Sequence, residues 1–386
     1  MHNHNHNHPI NCIVPPHMLE EIATKGTQSQ RELAINTLKA SEQMRGQRRA
    51  LADFTGAAFR VATSGKERII YDAENGSSLP GTPVRNEGDD PVADVAVNEA
   101  YDGSGATYDL FNNVYSRNSI DDKGMRLDST VHYKKGYDNA FWDGQQMVYG
   151  DGDEDQPVGD RLFNRFTIAI DVIGHELTHG VTQFEAKLVY SFQSGALNES
   201  MSDVFGSIVK QYHLGQTVND ADWIIGEGLL TENVNGVGIR SMKAPGTAYD
   251  DPVLGKDPQP AHMDNYVNTI GDNGGVHINS GIPNQAFYRT ALEIGGNAWE
   301  KVGNIWYVTL RDKLRSNSDF QECADQTYQV AEELFGVGSL EQQAVKNGWQ
   351  AVGINIGEGG TPPPPTDPGD GCFSSLLRLI GAAPSK

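Results

Sequence analysis

The alternation of apolar and polar positions changes character near the middle of the chain. From about residue 68 to residue 160 the sequence is rich in Gly, Asn, Asp, Tyr and Val, with short alternations such as residues 130–133 (TVHY), which predicts strands joined by turns. From Thr167 onward apolar residues recur at helical spacing. The main helical segments are about residues 199–212, 281–294, 299–314 and 319–334. We therefore expect an α+β protein with a β-rich N-terminal lobe and an α-helical C-terminal lobe.

The two ends of the chain differ from this central pattern. Residues 13–19 (IVPPHML) lead into a charged stretch with helical periodicity that continues to about Arg49. Residues 357–371 form a Gly- and Pro-rich linker, and the short apolar segment 372–380 follows it. We expect four parts, namely an N-terminal segment 1–49, a lobe 50–184, a lobe 185–356, and a linker with a tail 357–386.

Neither end has a role that its residues alone assign. The run of His and Asn in residues 2–8 could chelate metal weakly, or it could be an expression tag. The apolar tail could dock onto a partner, bring the chain to a surface, or be a frayed end, and we favour the frayed end.

The charge of the chain excludes several classes of partner. Its 386 residues carry a formal net charge of −21, whereas binding to nucleic acid or to an anionic membrane needs clustered Lys and Arg. No apolar run is long enough to predict a membrane span. The first thirty residues also lack the apolar core of a signal peptide. We expect a monomer that is either secreted by an unconventional route or intracellular, and we favour secretion.

The three cysteines, Cys12, Cys323 and Cys372, lie far apart and are odd in number, so they predict no disulfide framework. Cys323 falls in an apolar helical pattern and is expected to be inert core. A thiolate at Cys12 could cap a metal in a latent precursor, but no motif around it supports ligation, and a thiol without a role is the favoured alternative.

Residues 175–179 (HELTH) carry the strongest chemical signal in the chain. His175 and His179 lie four residues apart and share one helical face, where two imidazoles can hold a divalent metal. Zinc fits because two imidazoles and a carboxylate leave an open position for a water, whose proton Glu176 would accept. On these five residues alone, a polar, hydrogen-bonded helix face is an equal alternative. The apolar run of residues 166–174 favours the metal, because buried imidazoles need partners.

A third ligand is expected on a neighbouring helix. Glu199 and Asp203 are again four residues apart and share a face. Glu199 can therefore reach the metal while Asp203 accepts the second ring proton of a ligating histidine. A solvated acidic helix start is the alternative, and the flanking Asn198 and Ser200 do not separate the two.

HELTH followed by NExxxD at residues 198–203 resembles the thermolysin family of zinc metallopeptidases. Other segments match in family order, and together they cover about residues 68–355. They are residues 70–73 (IYDA), 139–152 (NAFWDGQQMVYGDG), 240–242 (RSM) and 272–281 (DNGGVHINSG). The resemblance implies a zinc-dependent endopeptidase of two lobes, with the HExxH helix between them and the metal at the bottom of their cleft.

The resemblance also implies roles for single residues. Glu176 would be the general base, and His277, oriented by Asp272, would stabilise the oxyanion together with Tyr190. The implied metal ligands are His175, His179 and Glu199, with Asp203 behind them. From the residues alone, a tyrosine at position 190 is more often a core aromatic with a polar tip.

Substrate binding is implied at two places. Arg240 would grip a substrate carbonyl, and Asn139 with Ala140 would form the strand edge that pairs with extended peptide. The matching side-chain pocket consists of Phe163, Phe166, Val172 and Ile239. All four are apolar, so we expect cleavage on the amino side of Leu, Phe, Ile or Val, although the same residues would serve equally as ordinary core.

The chain departs from the family pattern where calcium is expected. Asp171, Asp222 and Glu227 match carboxylates of the paired-calcium site, but Lys210 and Ile224 replace two others. At another calcium position a carboxylate is replaced by Val237. Calcium needs six to eight oxygen ligands, so we expect a weak or missing calcium site with Lys210 as an internal counter-ion.

Residues 13–49 resemble the short propeptide of protealysin-type members of the family. This implies a latent precursor that is inhibited by its own propeptide and cut near residues 48–50 (RRA). An amphipathic helix packed on the domain is the simpler alternative. Two other functions remain open: a catalytically silent binding or adhesion protein, which the intact Glu176 and His277 disfavour, and an intracellular or injected effector with one protein target.

Overall fold

The computed structural model describes residues 11–52 and 65–357, and every element below lies within them. The helices are α1 (Pro16–Lys25), α2 (Gln28–Ala52), α3 (Val95–Tyr115), α4 (Ile170–Phe184), α5 (Phe192–Leu214), α6 (Asp272–Asn279), α7 (Gly281–Ile294), α8 (Lys301–Val308), α9 (Phe320–Phe335) and α10 (Leu340–Gln350). The strands are β1 (Asn11–Cys12), β2 (Arg68–Asp72), β3 (Thr82–Asn86), β4 (Leu127–Val131), β5 (Ala140–Trp142), β6 (Met147–Tyr149), β7 (Ile224–Ile225), β8 (Arg240–Ser241), β9 (Asp250–Asp251) and β10 (Gly255–Lys256).

The N-terminal lobe is built on a six-stranded sheet in the order β1-β5-β6-β4-β2-β3. Strand β4 is parallel to both of its neighbours, β2 and β6, and the other pairs are antiparallel. The outermost strand, β1, comes from the segment that precedes the lobe. In its pairing with β5, Asn11 lies opposite Trp142 and Cys12 opposite Phe141. The N-terminal segment therefore completes this edge of the sheet.

Helix α4, which carries HELTH, packs closely against α5, which carries Glu199. At the contact a Cβ on Gly206 would lie only 2.5 Å from the carbonyl oxygen of Asp171 and 3.0 Å from the backbone nitrogen of His175. No larger residue fits there without moving a helix. Because the two backbones approach so closely, the carboxylates of Glu199 and Asp203 on α5 reach the imidazoles of His175 and His179 on α4.

The expectation of strands and turns through residues 68–160 is wrong at Val95–Tyr115, which form helix α3. This segment contains two Gly, three Asn and two Asp, which disfavour an isolated helix. Tertiary packing overrides that preference, because a Cβ at Gly103 would lie 2.3 Å from Cδ1 of Ile173 on α4. Asp94 adds an N-cap by accepting hydrogen bonds from two backbone N–H groups of the first turn.

The C-terminal lobe is helical, as expected. Helix α7 has the predicted bounds, whereas α5 begins earlier than predicted, at Phe192. The segment predicted at 299–314 divides into α8 and a π-helical turn at Thr309–Lys313. Helix α10, which Ser339 caps, was missed. The connection between Phe184 and Phe192 contains the expected lobe boundary, and the four-part division itself stays a prediction.

The N-terminal segment packs on both lobes. Met18, Leu19 and Ile22 on α1 are buried, and on α2 Gln30 donates to the carbonyl oxygen of Asp160 at 2.9 Å. The His and Asn run, Cys372 and the tail lie outside the described residues. The expected cut near residues 48–50 falls in the last turns of α2, whose side chains are also outside them. In the part of the chain that is described, no helix is long and apolar enough to cross a membrane.

Candidate active site

The two histidines of HELTH and Glu199 meet at one buried point. One ligand atom from each of His175, His179 and Glu199 lies within 4.8 Å of the other two. The two imidazole Nε2 atoms are 3.0 Å apart, and the Glu199 carboxylate oxygens lie 3.6 Å from His175 Nε2 and 3.4 Å from His179 Nε2. Among the described residues this is the single group of three metal-ligating side chains.

The Nδ1 atoms of His175 and His179, on the side of each ring away from the centre, make hydrogen bonds to side chains of α5. His175 Nδ1 lies 2.8 Å from Asp203 Oδ1. His179 Nδ1 lies 2.8 Å from Asn198 Oδ1 and 3.0 Å from Ser202 Oγ. With Nδ1 donating in both rings, both Nε2 lone pairs are free to bind a metal ion. Burial, followed by the effect of His175, lowers the pKa of His179 well below its usual value, so this imidazole is neutral.

This arrangement fits a zinc ion. Glu199 Oε2 is buried and has no hydrogen-bond partner among the described residues, although a buried carboxylate oxygen normally has one. Two neutral imidazoles and one carboxylate are the ligand set of catalytic zinc sites that keep an open position.

Asp203 links the metal ligands to Arg240. Its carboxylate oxygens each lie 2.8 Å from a guanidinium nitrogen of Arg240, in a bidentate pair. Asn284 also donates to Asp203 Oδ2 at 2.8 Å. Burial would raise the pKa of Asp203, but Arg240 and His175 hold it well below its usual range. The carboxylate is therefore charged and fixed in orientation.

Glu176 faces the same centre from α4. The backbone N–H of Trp142 donates to its Oε2 at 3.0 Å, whereas its Oε1 is buried without a hydrogen-bond partner among the described residues. Burial, and then the nearby Glu199 carboxylate, raise the pKa of Glu176 well above its usual range. A carboxylate with one fixed oxygen and one unpartnered oxygen is placed to accept a proton.

His277 approaches from the other side, held by Asp272. The chain from Asn273 to Gly275 has positive φ angles of 51° to 90°, which two glycines make possible. This turn brings Asp272 Oδ1 to 2.5 Å from His277 Nδ1, and Asp272 Oδ2 accepts from the backbone N–H of His277 at 2.8 Å. Burial opposes a charge on His277, but Asp272 and then Glu199 raise its pKa above the usual value.

Tyr190 lies between His277 and the metal ligands. Its hydroxyl is 3.1 Å from His277 Nε2 and donates a short hydrogen bond to Glu199 Oε1. Burial and the Glu199 carboxylate raise the pKa of Tyr190 well above its usual value, so the phenol keeps its proton. Two potential donors, an imidazole and a phenol, thus converge beside the carboxylate.

The N-terminal segment occupies the cleft beside this centre. Ile13 donates its N–H to the carbonyl oxygen of Ala140 at 3.3 Å. Arg240 Nη1 donates to the carbonyl oxygen of Ile13 at 3.0 Å. The Asn139 side chain accepts from Val14 N at 2.9 Å and donates to Val14 O at 3.2 Å. The residues expected to bind extended peptide therefore hold residues 13 and 14 of this chain, where the backbone bends directly after β1.

The four residues of the expected side-chain pocket are all buried in the main hydrophobic core. The rings of Phe163 and Phe166 lie 5.9 Å apart between centroids. Val172 lies on α4, and Ile239 precedes β8.

Cys12 presents its backbone, and not its thiol, to the centre. Its carbonyl oxygen lies 3.1 Å from His277 Nε2. Its Sγ lies 3.9 Å from Ser41 Oγ, in a separate cluster with Tyr137 and Phe141. The hypothesis of a zinc-capping thiolate is therefore wrong. Cys323 is fully buried, and burial raises the pKa of its thiol, as expected of inert core.

Lys210 lies among the carboxylates that the resemblance assigns to calcium. Its Nζ is 2.6 Å from Asp222, 2.8 Å from Glu227 and 3.6 Å from Asp171. Burial raises the pKa of Asp171 to about 6, and the Lys210 ammonium opposes that effect. Ile224 is half-buried in β7, and Val237 is exposed.

Sequence reasoning missed several supporting residues. The sequence gives Asn198 no role, and it does not predict Ser202, Asn284 or the backbone N–H of Trp142 as parts of the site. Helical spacing could have identified Ser202, because it lies on α5 three residues after Glu199. Asn284 is 81 positions from Asp203, and no local pattern joins them.

Comparison with known proteins agrees with this geometry. The family profile described as "Thermolysin metallopeptidase, catalytic domain" matches residues 31–183, and "Thermolysin metallopeptidase, alpha-helical domain" matches residues 186–354. An extracellular metalloprotease of Pectobacterium carotovorum subsp. carotovorum is 51% identical over 351 residues, which are 90% of this chain and 97% of that protein. Protease PrtS of Photorhabdus sp. is 48% identical over 351 residues, 90% of this chain and 92% of that protein.

A solved structure shows the same fold in a precursor. The precursor of protealysin, a metalloproteinase from Serratia proteamaculans, superposes with a TM-score of 0.80 at 53% sequence identity. The alignment covers 89% of this chain and 99% of that one.

Proposed function

The chain belongs to the thermolysin family of zinc metallopeptidases, and we propose that its buried His-His-Glu centre hydrolyses peptide bonds on the amino side of bulky hydrophobic residues. It is a metalloendopeptidase synthesised as a latent precursor, of the protealysin type. The observation that carries the site assignment is the buried Oε1 of Glu176, which has no hydrogen-bond partner among the described residues, beside the group of His175, His179 and Glu199.

His175, His179 and Glu199 would hold the zinc ion, and the bound ion would supply a Lewis acid that polarises the substrate carbonyl and acidifies a water. Asp203 fixes the His175 ring, while Asn198 and Ser202 fix the His179 ring. Because these partners set which ring nitrogen carries the proton, they tune metal affinity.

The other side chains handle protons and developing charge. Glu176 Oε1 accepts a proton from the attacking water and later delivers it to the leaving amine. Tyr190 and His277 donate hydrogen bonds to the carbonyl oxygen as negative charge develops on it. Asp272 orients the His277 ring and stabilises its protonated form.

Extended peptide binds by its backbone along β5. Asn139 and Ala140 offer edge hydrogen bonds, and Arg240 donates to the carbonyl that follows the cleaved bond. Phe163, Phe166, Val172 and Ile239 form the pocket for the next side chain. The hydrogen bonds that Arg240, Ala140 and Asn139 make with residues 13 and 14 support the backbone part of this assignment.

Calcium is not bound at the Lys210 cluster in our proposal. Three carboxylates already surround a buried ammonium at distances of 2.6 to 3.6 Å. A divalent cation there would meet the lysine charge at close range and would have too few oxygen ligands.

We propose that the protein is a monomer and is located outside the cell. Its own N-terminal segment keeps the precursor inactive. Extracellular relatives support this location, and the contacts of residues 11–14 in the cleft support the inhibitory role. The division into a propeptide 1–49, lobes 50–184 and 185–356, and a tail 357–386 belongs to the same proposal.

The test is cleavage of an unstructured protein by the matured enzyme and by its Glu176→Gln variant, each with and without a zinc chelator. Mass spectrometry should show fragments that begin with Leu, Phe, Ile or Val, and these should disappear in the variant and under chelation. Absence of fragments from a zinc-loaded, matured sample would overturn the proposal. Cleavage of a single protein in a whole-proteome digest would instead support an effector with one target.

A further inference from the structure

The N-terminal segment enters the cleft in a defined direction and register. Cys12 pairs with Phe141 of β5, and the next residue, Ile13, donates its N–H to Ala140. The Ile13 N–H thus extends the antiparallel pairing of β1 with β5 by one hydrogen bond, and the chain then bends at residues 13 and 14.

The contacts identify which peptide bond lies at the catalytic centre. The carbonyl oxygen of Cys12 lies 3.1 Å from His277 Nε2, and the Tyr190 hydroxyl is 3.1 Å from the same nitrogen. The following carbonyl, that of Ile13, is already beyond the centre and bound by Arg240. The only carbonyl of residues 12–14 that faces the oxyanion donors is thus that of Cys12.

The residue after this bond suits the pocket. Ile13 is a fully buried apolar residue, and its carbonyl oxygen is bound by Arg240, which directly follows the pocket residue Ile239 in the chain. A branched apolar side chain directly after the carbonyl at the centre is what the proposed specificity requires.

We propose that the Cys12–Ile13 peptide bond is a cleavage site of the enzyme within its own precursor. This inference rests on the proposed function. Water adds to the carbonyl carbon of Cys12 and the C–N bond to Ile13 breaks. One product ends in the Cys12 carboxylate, and the other begins with the Ile13 amine, which takes the proton.

The segment that follows the cut stays in place, so the cut precursor remains latent. Val14 is held by two hydrogen bonds to Asn139, and Met18, Leu19 and Ile22 of α1 are buried. The hydrogen bonds of Val14 with Asn139 do not involve residues 11 and 12. The cut therefore differs from removal of the propeptide near residues 48–50, which frees the cleft.

The experiment starts from full-length precursor purified without metal, with zinc added at time zero. Intact mass and N-terminal mapping should show loss of residues 1–12 and a new N-terminus at Ile13, at a rate independent of protein concentration. The Glu176→Gln precursor should stay intact. An Ile13→Leu precursor should be cut at the same bond, and an Ile13→Asp precursor should lose at least about 90% of this cut, because a carboxylate is costly in an apolar pocket.

A binding measurement covers the case in which the Ile13→Asp precursor does not fold. A synthetic peptide of residues 9–26 should bind the matured, zinc-free enzyme at least about tenfold more tightly than its Ile13→Asp counterpart. Equal affinity of the two peptides would overturn the register.

The outcomes separate this inference from the function. If the matured enzyme cleaves an unrelated unstructured protein but the precursor never acquires an Ile13 N-terminus, the cleavage site is wrong and the function stands. If neither is cleaved, the proposed function fails as well.

Discussion

Arg240 and Asp203 form a buried bidentate ion pair, and the same Asp203 carboxylate accepts the hydrogen bond that orients His175. One carboxylate thus connects Arg240, which we propose to bind a peptide carbonyl, with His175, which we propose to hold the metal. A change at Asp203 should affect both.

Replacing Asp203 with Asn should lower zinc affinity by about 10- to 100-fold, because the amide is a weaker acceptor for the His175 ring proton. Zinc titration in competition with a chelator measures this. Ser202→Ala is the matched control, since His179 Nδ1 keeps Asn198 as acceptor. Unchanged zinc affinity in Asp203→Asn would show that its carboxylate does not tune the site.

Replacing Glu176 with Gln should keep the fold and bound zinc but lower turnover at least about 100-fold, because only the proton acceptor is removed. Metal analysis, thermal unfolding and peptide hydrolysis measure the three quantities. Self-processing should also stop. Normal processing of this variant, with no other protease present, would contradict the role of Glu176.

Calcium should not raise the melting temperature of the zinc-loaded wild type. Lys210→Glu should be destabilised by roughly 3 kcal/mol without calcium, since buried Asp171 loses its counter-ion and gains a like charge. Calcium should restore much of that loss, and thermal unfolding with and without the ion measures it. Lys210→Met should be destabilised without recovering. A strong calcium effect on the wild type would refute the counter-ion assignment.

His132 should make stability depend on pH. Its Nδ1 lies 2.8 Å from Asp151 and its Nε2 2.8 Å from Asp94, the cap of α3. The hydrogen bond to Asp151, against the effect of burial, raises the pKa of His132 to about 9.

Because the folded pKa of His132 is raised above the usual 6.5, its contribution is complete below pH 6.5 and is lost as pH rises through 9. We expect a loss of about 1 to 2 kcal/mol, allowing for solvent screening. Denaturant unfolding from pH 6 to pH 10 should show this decline, and His132→Gln should flatten it. An equal decline in the variant would assign it to other groups.

Because of His17, the affinity of the catalytic domain for the N-terminal segment should decrease in acid. Its Nε2 lies 3.2 Å from the Tyr249 hydroxyl, and burial lowers the pKa of His17 to about 4. Asp272 and Glu21 oppose this effect, while His277 and Arg240 add to it.

The pKa of His17 is therefore 6.5 in the released segment and about 4 in the bound segment. Between these pH values, release of the segment is coupled to uptake of a proton. Affinity should fall between these values by at most about tenfold per pH unit. Binding of the residue 9–26 peptide to the zinc-free, matured enzyme across this range measures it. A His17→Leu peptide should lack this component, and an identical pH profile for both peptides would exclude His17.

Local spacing accounts for what the sequence could predict. His175 with His179, and Glu199 with Asp203, are pairs at i and i+4 on single helices, and the structure places each pair on one face. The pairing of Asp272 with His277 is implied by the family resemblance and not by spacing, and the glycines between them make the close contact possible.

The features that the sequence could not predict depend on packing between segments that are distant along the chain. The bond from Val14 to Asn139 spans 125 positions, and no periodicity of either segment indicates that they pair. Helix α3 was missed because its small residues, unfavourable in an isolated helix, are required by contact with α4. Such choices depend on neighbours that are distant in sequence.

The edge position that β1 fills beside β5 has a consequence for which proteins this enzyme can degrade. Once the N-terminal segment leaves, the vacated position accepts only a chain with free backbone groups on both sides of the cut bond. A native domain offers such a stretch only during transient opening, whose free energy sets how often it occurs. Degradation of well-folded targets should therefore be paced by their own opening equilibria, and rigid domains should be spared even when they contain many leucines.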